Sequence, residues 1–586
     1  MASLPRATRS LHPLRFLIET RFMLLFLVVL SAGLVFWALG DDMEGIDASV
    51  ELHADRVHAL WTDETYQCLG WRATANCNPH GWRKPSRDRG CSDVIEPGMS
   101  GYCEIRNRTS GEIFQVMLTA CDSIKDKTFT CMEARDFTDY SIRAASAPAV
   151  SPSTPMLRTF ANATNGIVMS IYPSVLPNVY AIVRMLRFYN CMLPMELWYE
   201  PHQMSDVATN PILAALEANY GPLVFRPIAD KRATGYMTKP FAVAHSQFEN
   251  VLFLDSDNLP TRDPTFLFTS PQFLESGAIF WPDYWHDSSS PFNVHARSLL
   301  WELVDMPFVD MLEQESGQLV VARHRCATAL AKVLHYALET PPLLQKYGLV
   351  WGDKDLFRLA WFNTSTPFAF VPHPPALGGF TKDEYVDAVA PVPSVLYWHA
   401  VSFCGIAMLQ HDFDGRILFV HRNSVKLTGE ADQTPLVTHA QTSTLPTHAS
   451  PLLGHGKEYF IQLFGHTLGQ KACYVLASAG RIEAVDAIDD SMAKVEKMAI
   501  HYAIEAGDML RAVARRRKEH GAGHWLLPFD TLDARHTGED AIPVMYWVTV
   551  HMLVGGLAGW TWRRRQRSVT KGPTLDRAIP PPYQIL

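Results

Sequence analysis

Between residues 166 and 257 the chain alternates short apolar segments with helix-patterned ones, and this constrains the fold more than any other feature. "GIVMSIY" (166–172), "MELWYE" (195–200), "LVFRPI" (223–228) and "NVLFLDSD" (250–257) have the length and apolar content of strands. "NVYAIVRMLRFY" (178–189) places Val179, Ile182, Val183 and Leu186 on one helical face, and "PFAVAHSQF" (240–248) reads as a second helix. Such alternation predicts an α/β fold, a parallel sheet covered by helices on both faces. The unbroken run Val251–Leu254 belongs at the buried centre of that sheet. Ligands of open α/β sheets bind outside the carboxyl ends of the strands, where Asp255 and Asp257 stand.

Asp-x-Asp occurs three times, so context must separate the copies. Asp412 and Asp414 lie in "HDFDGRILFV", where Asp-Gly before a strand is turn chemistry and predicts a solvated hairpin tip. Asp353 and Asp355 lie in "WGDKDLFRLAW", which resembles a helix N-terminus capped by acidic residues. Only Asp255 and Asp257 follow a buried strand and precede a Pro-containing loop. Hard oxygen ligands one residue apart can share a divalent cation, and Mg²⁺ or Mn²⁺ sites of this kind are completed by substrate phosphates. That chemistry neutralises a diphosphate leaving group.

The flanks bear on compartment. Phe22 to Gly40 is an uncharged apolar run of 19 residues with Arg6, Arg9, Arg15 and Arg21 before it and Asp41, Asp42, Glu44 and Asp47 after it. Its length and flanks predict an uncleaved anchor that sends the rest of the chain across a bilayer. Ala541 to Trp562, between Asp540 and Arg563-Arg564-Arg565, is a second candidate span whose basic side returns to the cytosol; the competing reading is a buried or interfacial helix with a solvated basic end. A lumenal middle makes Asn107, Asn162 and Asn363 sequon acceptors. It also lets the six cysteines at 68, 77, 91, 103, 121 and 131 form three disulfides of undetermined connectivity. Zinc is disfavoured, because no Cys-x2-Cys pair occurs among them. A net charge of -8 offers no basic footprint for nucleic acid, and no tract resembles a P-loop.

"NVLFLDSDNLPTRDPTFLF" resembles the donor-site block of fungal-type alpha-1,3-mannosyltransferases, glycosyltransferase family 71. Four further blocks follow in the same order: "GAIFWPDYW" (277–285), "EQESGQLVV" (313–321), "GDKDLFRLAW" (352–361) and "GRILFVHRNSVK" (415–426). The resemblance implies a GT-A (Rossmann-like) nucleotide-sugar transferase domain, Mn²⁺ (or Mg²⁺), GDP-mannose as donor and retention of anomeric configuration. It implies a glycan or glycoprotein acceptor and a Golgi or ER membrane location. In that frame Asp257 is a direct metal ligand, Asp255 a metal or ribose ligand, and His421 the third ligand. Lys426, Arg422 and Lys239 are candidate cations for the donor phosphates. Glu315, Asp353 and Asp355 are candidates for the reacting end, with Asp353 and Asp355 positioning sugar hydroxyls. Trp281, Tyr284 and Trp285 are either a sugar platform or core. A UDP-sugar donor and a non-catalytic glycan-binding protein are the alternatives.

The chain therefore divides into a cytosolic tail (1–21), the anchor (22–40), a Cys-rich lumenal module (41–143) and a Pro/Ser/Ala linker (144–155). The GT-A domain (156–430), a helical C-terminal extension (431–540), the second span (541–562) and a basic cytosolic tail (563–586) follow.

Overall fold

The computed structural model describes residues 57–148, 160, 163–286, 289–381, 403–443, 459–464, 473–477, 480–488 and 492–519. Both expected membrane spans, the Asn162 sequon and most of the linker lie outside these residues. Among the described residues no helix is long and apolar enough to cross a membrane.

The Cys-rich module is a three-stranded antiparallel sheet of β1 (Tyr66–Ala73), β2 (Gly101–Asn107) and β3 (Ile113–Thr119), followed by the helix Ala134–Ser146. That helix runs past the expected start of the linker at 144. The six clustered cysteines pair as Cys68–Cys91, Cys77–Cys121 and Cys103–Cys131, which excludes a zinc site. The module is fused to the rest of the protein. Glu302 accepts the amides of Met117 at 2.6 Å and Leu118 at 2.8 Å, and Tyr140 stacks on Tyr336 with ring centroids 6.0 Å apart.

The central sheet contains β4 (Asn165–Ile171), β5 (Met195–Tyr199), β6 (Leu223–Pro227), β7 (Asn250–Leu254), β9 (Ala278–Pro282), β10 (Gln314–Ala322) and β11 (Ala369–Phe370), in the order β11-β9-β10-β7-β4-β5-β6. The four strands read from alternation, β4 to β7, are parallel. The sheet as a whole is mixed, because β10 runs antiparallel between β7 and β9. Val251 and Phe253 enter one apolar cluster and Leu252 and Leu254 the other, so β7 is buried on both faces. The helices Thr238–His245, Ala327–Leu338 and Leu356–Asn363 cover the first face, and Leu176–Phe188 covers the second.

A second, antiparallel sheet holds β8 (Asn258–Pro260), β12 (Ala376–Thr381), β13 (Phe403–His411), β14 (Ile417–His421), β15 (His439–Ser443), β16 (Ile461–Phe464), β17 (Cys473–Leu476) and β18 (Gly480–Ala484). The segment after 430, expected as a separate helical extension, thus contributes β15 to β18 to this sheet. Cys404–Cys473, a disulfide the cysteine clustering did not suggest, ties β17 to β13. The long helix Met492–Glu519 packs on Leu176–Phe188, where Glu505 accepts from the Tyr180 hydroxyl at 2.8 Å and pairs with Arg184.

His335, on the helix Ala327–Leu338, gives one testable consequence. Burial pushes its pKa from 6.5 down to about 4. The unfolded chain therefore takes up this proton as pH falls below about 6.5, while the folded chain does so only near 4. Stability is expected to fall through that window, by on the order of 3 kcal/mol for this residue. Urea melts at stepped pH should show a shallower slope for His335→Gln.

The sequons also separate. Asn107 ends β2 at the surface, its Oδ1 accepting from the amides of Thr109 at 2.8 Å and Ser110 at 3.1 Å. Asn363 is a correction. Its Nδ2, the atom a glycan would modify, donates to Val304 O at 2.7 Å, and its Oδ1 accepts from Lys332. Glycopeptide mass spectrometry of secretory-expressed protein should find Asn107 occupied and Asn363 bare.

Candidate active site

Strand β7 ends at Leu254, and the chain turns at once. The Asp255 amide donates to Gly317 O at 2.8 Å, and the Asn258 side chain donates to Gly317 O at 2.8 Å and Gln318 Oε1 at 2.6 Å. The turn is thereby pinned to β10, with Asp255 and Asp257 at the carboxyl edge of the sheet. The chain then pairs as β8 with β14, in a register that sets His421 opposite Asn258. The Arg422 amide donates to Asp257 O at 3.0 Å. This pairing brings a histidine 164 residues away onto the aspartate turn. One ligand atom each of Asp255, Asp257 and His421 lies within 4.8 Å of the others.

Gly317 makes room for that imidazole. A Cβ there would lie 2.7 Å from both Cε1 and Nδ1 of His421. His421 Nε2 stands 3.2 Å from Asp257 Oδ1, and its buried Nδ1 has no hydrogen-bond partner among the described residues and lies 3.7 Å from Glu315 Oε1. Burial opposes charge on this ring, but Asp257, Glu315 and Asp255 carry its pKa up to about 9. Burial likewise opposes charge on Asp257, yet Lys426 and His421 outweigh it and hold the carboxyl below its ordinary range. Two carboxylates and an imidazole are a donor set that suits Mn²⁺ or Mg²⁺, and the charge now held by the His421 proton and Lys426 is the charge a cation would supply. Loading one requires the His421 proton to leave, since a coordinating imidazole is neutral.

Lys426 lies 3.0 Å from Asp257 Oδ2 and 3.4 Å from the Tyr172 hydroxyl, with 44% of its side chain exposed. It can therefore reach a diphosphate. Lys239, expected to do the same, is committed elsewhere. Its ammonium is buried between Asp255 at 3.0 Å and Asp353 at 3.1 Å, and donates to Ser316 O at 2.8 Å and Oγ at 3.0 Å. It fixes two carboxylates relative to each other. Burial raises the Asp353 pKa, with Lys239 opposing. Glu315 accepts the Gly317 amide at 2.6 Å and remains partly exposed beside His421.

Three expectations fail, those for Arg422, Asp355 and Asp412, and the choice left open at Trp281 and Tyr284 falls to core. Arg422 was expected to face the donor phosphates. It is 1% exposed, paired with Glu496 and bonded to Val425 O at 2.7 Å, because successive side chains of an extended chain point to opposite sides and His421 takes the site side. Asp355 was expected at the reacting end or as a helix cap. It is fully buried with φ 65°, makes no cap, accepts from the Gln314 amide at 2.9 Å, and is paired with Arg358 and with Lys354 at 3.0 Å. Trp281 and Tyr284 are core, donating to His411 O at 2.8 Å and Ala407 O at 3.1 Å. Asp412, the expected solvated tip, is instead a buried turn anchor accepting from the amides of Asp414 and Arg416, each at 2.9 Å.

Sequence reasoning missed the partners. Tyr172 directly follows β4 on the ligand-binding edge, a position that could have flagged it. Lys354, inside the quoted "GDKD", anchors Asp283 at 3.0 Å and Glu313 beneath the site. Burial raises the Asp283 pKa to about 6 despite that lysine. Glu496 gave no signal at all.

Residues 164–304 and 308–412 match the family model described as "Mannosyltransferase putative". The match covers about two fifths of the chain. An alpha-1,2-mannosyltransferase of Saccharomyces cerevisiae, MNN2, is 26% identical over 275 residues, 40% of this chain and 43% of that protein. The Candida albicans alpha-1,2-mannosyltransferase MNN21 is 27% identical over 226 residues, 30% of this chain and 34% of that protein. The chain thus spans less than half the length of these curated relatives. The galactosyltransferase LgtC, solved with donor and acceptor sugar analogs, shows a likeness at TM-score 0.25 and 12% identity over 40% of this chain and 81% of that one. A likeness of that size bears on neither activity nor ligands. The family match ends at residue 412, just after β13, so β14 with His421 and everything after it lie beyond the matched residues.

Proposed function

We propose that the domain matching the mannosyltransferase model belongs to that family, has a GT-A fold and is a metal-dependent retaining alpha-mannosyltransferase. It would move mannose from GDP-mannose to a glycan or glycoprotein acceptor in the Golgi or ER lumen, anchored by residues 22–40. The observation that carries the reading is the convergence of Asp255, Asp257 and His421 at the carboxyl edge of the sheet, with Lys426 beside them. The four disulfides among the described residues support an oxidising compartment. The relatives' alpha-1,2 names support that linkage over the alpha-1,3 linkage implied by the motif resemblance.

Asp255, Asp257 and His421 would hold a divalent cation, which supplies positive charge to the departing diphosphate. Lys426 adds a mobile point charge at the same place. Asp353, fixed by Lys239, accepts hydroxyls of the donor sugar and stabilises its oxocarbenium character. The bond from the anomeric carbon to the diphosphate oxygen breaks as the acceptor oxygen bonds on the same face. The acceptor proton passes to the departing phosphate oxygen, so no enzyme base is needed. Glu315 holds the inner side of His421.

The test is release of nucleoside diphosphate by the purified full chain, with Mn²⁺, across a panel of sugar nucleotides. GDP release from GDP-mannose supports the proposal. UDP release in its place would move the donor assignment, and glycan binding without turnover of any donor would reduce the protein to a lectin.

A further inference from the structure

Two partly exposed aromatic residues, Tyr236 and Trp351, flank the backbone that leads into Asp353. Tyr236 is 53% exposed, although it sits in the turn that leads into the helix carrying Lys239. Its ring lies against Gly352, where a Cβ would come within 3.0 Å of the tyrosine Cγ. Gly352 adopts φ 59°, a left-handed conformation that glycine takes without strain, so the backbone before Asp353 both turns and accepts the ring. Trp351, the preceding residue, is partly exposed and stacks on Phe292 with centroids 5.3 Å apart and planes 29° apart. Phe292 is braced from behind by the edge of Trp285 at 6.3 Å and by the Lys354 ammonium, 4.8 Å from its ring centroid. Trp285 therefore supports this aromatic shelf from the core.

The shelf has a definite place relative to the charges. Asp353 is linked through Lys239 to Asp255, whereas Lys426 is bound to Asp257 and Tyr172. The diphosphate cation and the aromatic shelf thus flank different members of the aspartate pair. A nucleotide needs the Lys426 flank, and the Tyr236 flank is left for the other reactant. Rigid aromatic faces fit the apolar C–H face of a pyranose, and Asp353, which takes the donor sugar's hydroxyls in the proposed reaction, sets that pyranose next to the donor sugar.

We infer that Tyr236 and Trp351 form the acceptor subsite, a shelf for the terminal pyranose of a neutral glycan that receives the transferred sugar. This rests on the transferase reading for its catalytic consequence, but not for binding itself.

The test uses the full chain and methyl alpha-mannoside as probe. Saturation-transfer NMR without donor reads binding, and the ratio of acceptor transfer to donor hydrolysis reads the subsite in turnover. Tyr236→Ala and Trp351→Ala are expected to weaken binding and to lower that ratio by about tenfold or more, through acceptor KM. Tyr236→Phe and Trp351→Tyr, which keep a ring, should restore most of both. Tyr236 is half exposed, so its truncation uncovers no core. Phe188→Ala, an exposed aromatic ending the helix Leu176–Phe188, is the neutral control. Hydrolysis by the wild type together with unaltered mannoside binding by both alanine variants would overturn the subsite and leave the transferase reading intact. Mannoside binding that depends on Tyr236, with no donor turnover, would do the reverse. A rise in donor KM alone would assign the shelf to the sugar nucleotide and also overturn the inference.

Discussion

Asp257→Asn is expected to abolish donor hydrolysis and sugar transfer while leaving the fold in place. Asp257 is 4% exposed and contacts both His421 and Lys426, so removing its charge strikes the proposed cation ligand and the partner of the lysine proposed to meet the phosphates together. Charge stabilisation at such a site amounts to several kcal/mol, and each 1.4 kcal/mol is tenfold in rate, so activity should fall by about a thousandfold or more. The backbone bond from the Arg422 amide to Asp257 O survives the substitution, as does the β8–β14 pairing beside it. His421 and Lys426 lose a buried partner, so some stability should be lost as well, and turnover is compared at a temperature where the variant remains folded. Turnover within about tenfold of wild type would mean that the carboxylate pair is an ordinary polar turn.

The second large effect is on stability. Arg422 and Glu496 are 2% and 5% exposed at the side chain and pair across the interface between the loop after β14 and the helix Met492–Glu519. Glu496 also accepts the Leu436 amide at 3.2 Å. Removing one member leaves the other charged and buried, which typically costs about 3–5 kcal/mol. Arg422→Ala and Glu496→Ala should each lower the denaturation midpoint strongly. The apolar double substitution Arg422→Met with Glu496→Met should recover much of the loss, because it leaves no orphaned charge. Donor KM, measured at a temperature where Arg422→Ala remains folded, should be close to wild type. A large rise in KM with normal stability would return Arg422 to the donor site.

The contrast between His421 and Arg422 shows what the sequence conceals. Both follow the apolar strand "RILFV", and both looked fit for the donor site. Period-two alternation sends them to opposite sides, and only the pairing of β14 with β8 decides which side faces Asp257. "GDKD" behaves similarly: Asp353 meets Lys239 at the site, whereas Asp355 turns inward to Arg358 and Lys354. By contrast, β4 to β7 were legible because burial on both faces demands continuous apolar runs, and runs of that length have few alternatives. The strands after residue 430 were not legible. β15 is "HAQTS" and β18 is "GRIEA", short and polar, held by the pairing of β15 with β12 and of β18 with β15 instead of by an apolar pattern of their own.

The central claim is that the aspartate turn after β7 and a histidine 164 residues later form one divalent-metal site. Electron paramagnetic resonance titration of Mn²⁺ into the full chain, with GDP present, tests it directly. We expect one tight ion per chain in the wild type and affinity weakened by about tenfold or more in His421→Ala, with Asp257→Asn weaker still. Equal Mn²⁺ affinity in the wild type and His421→Ala would contradict the account.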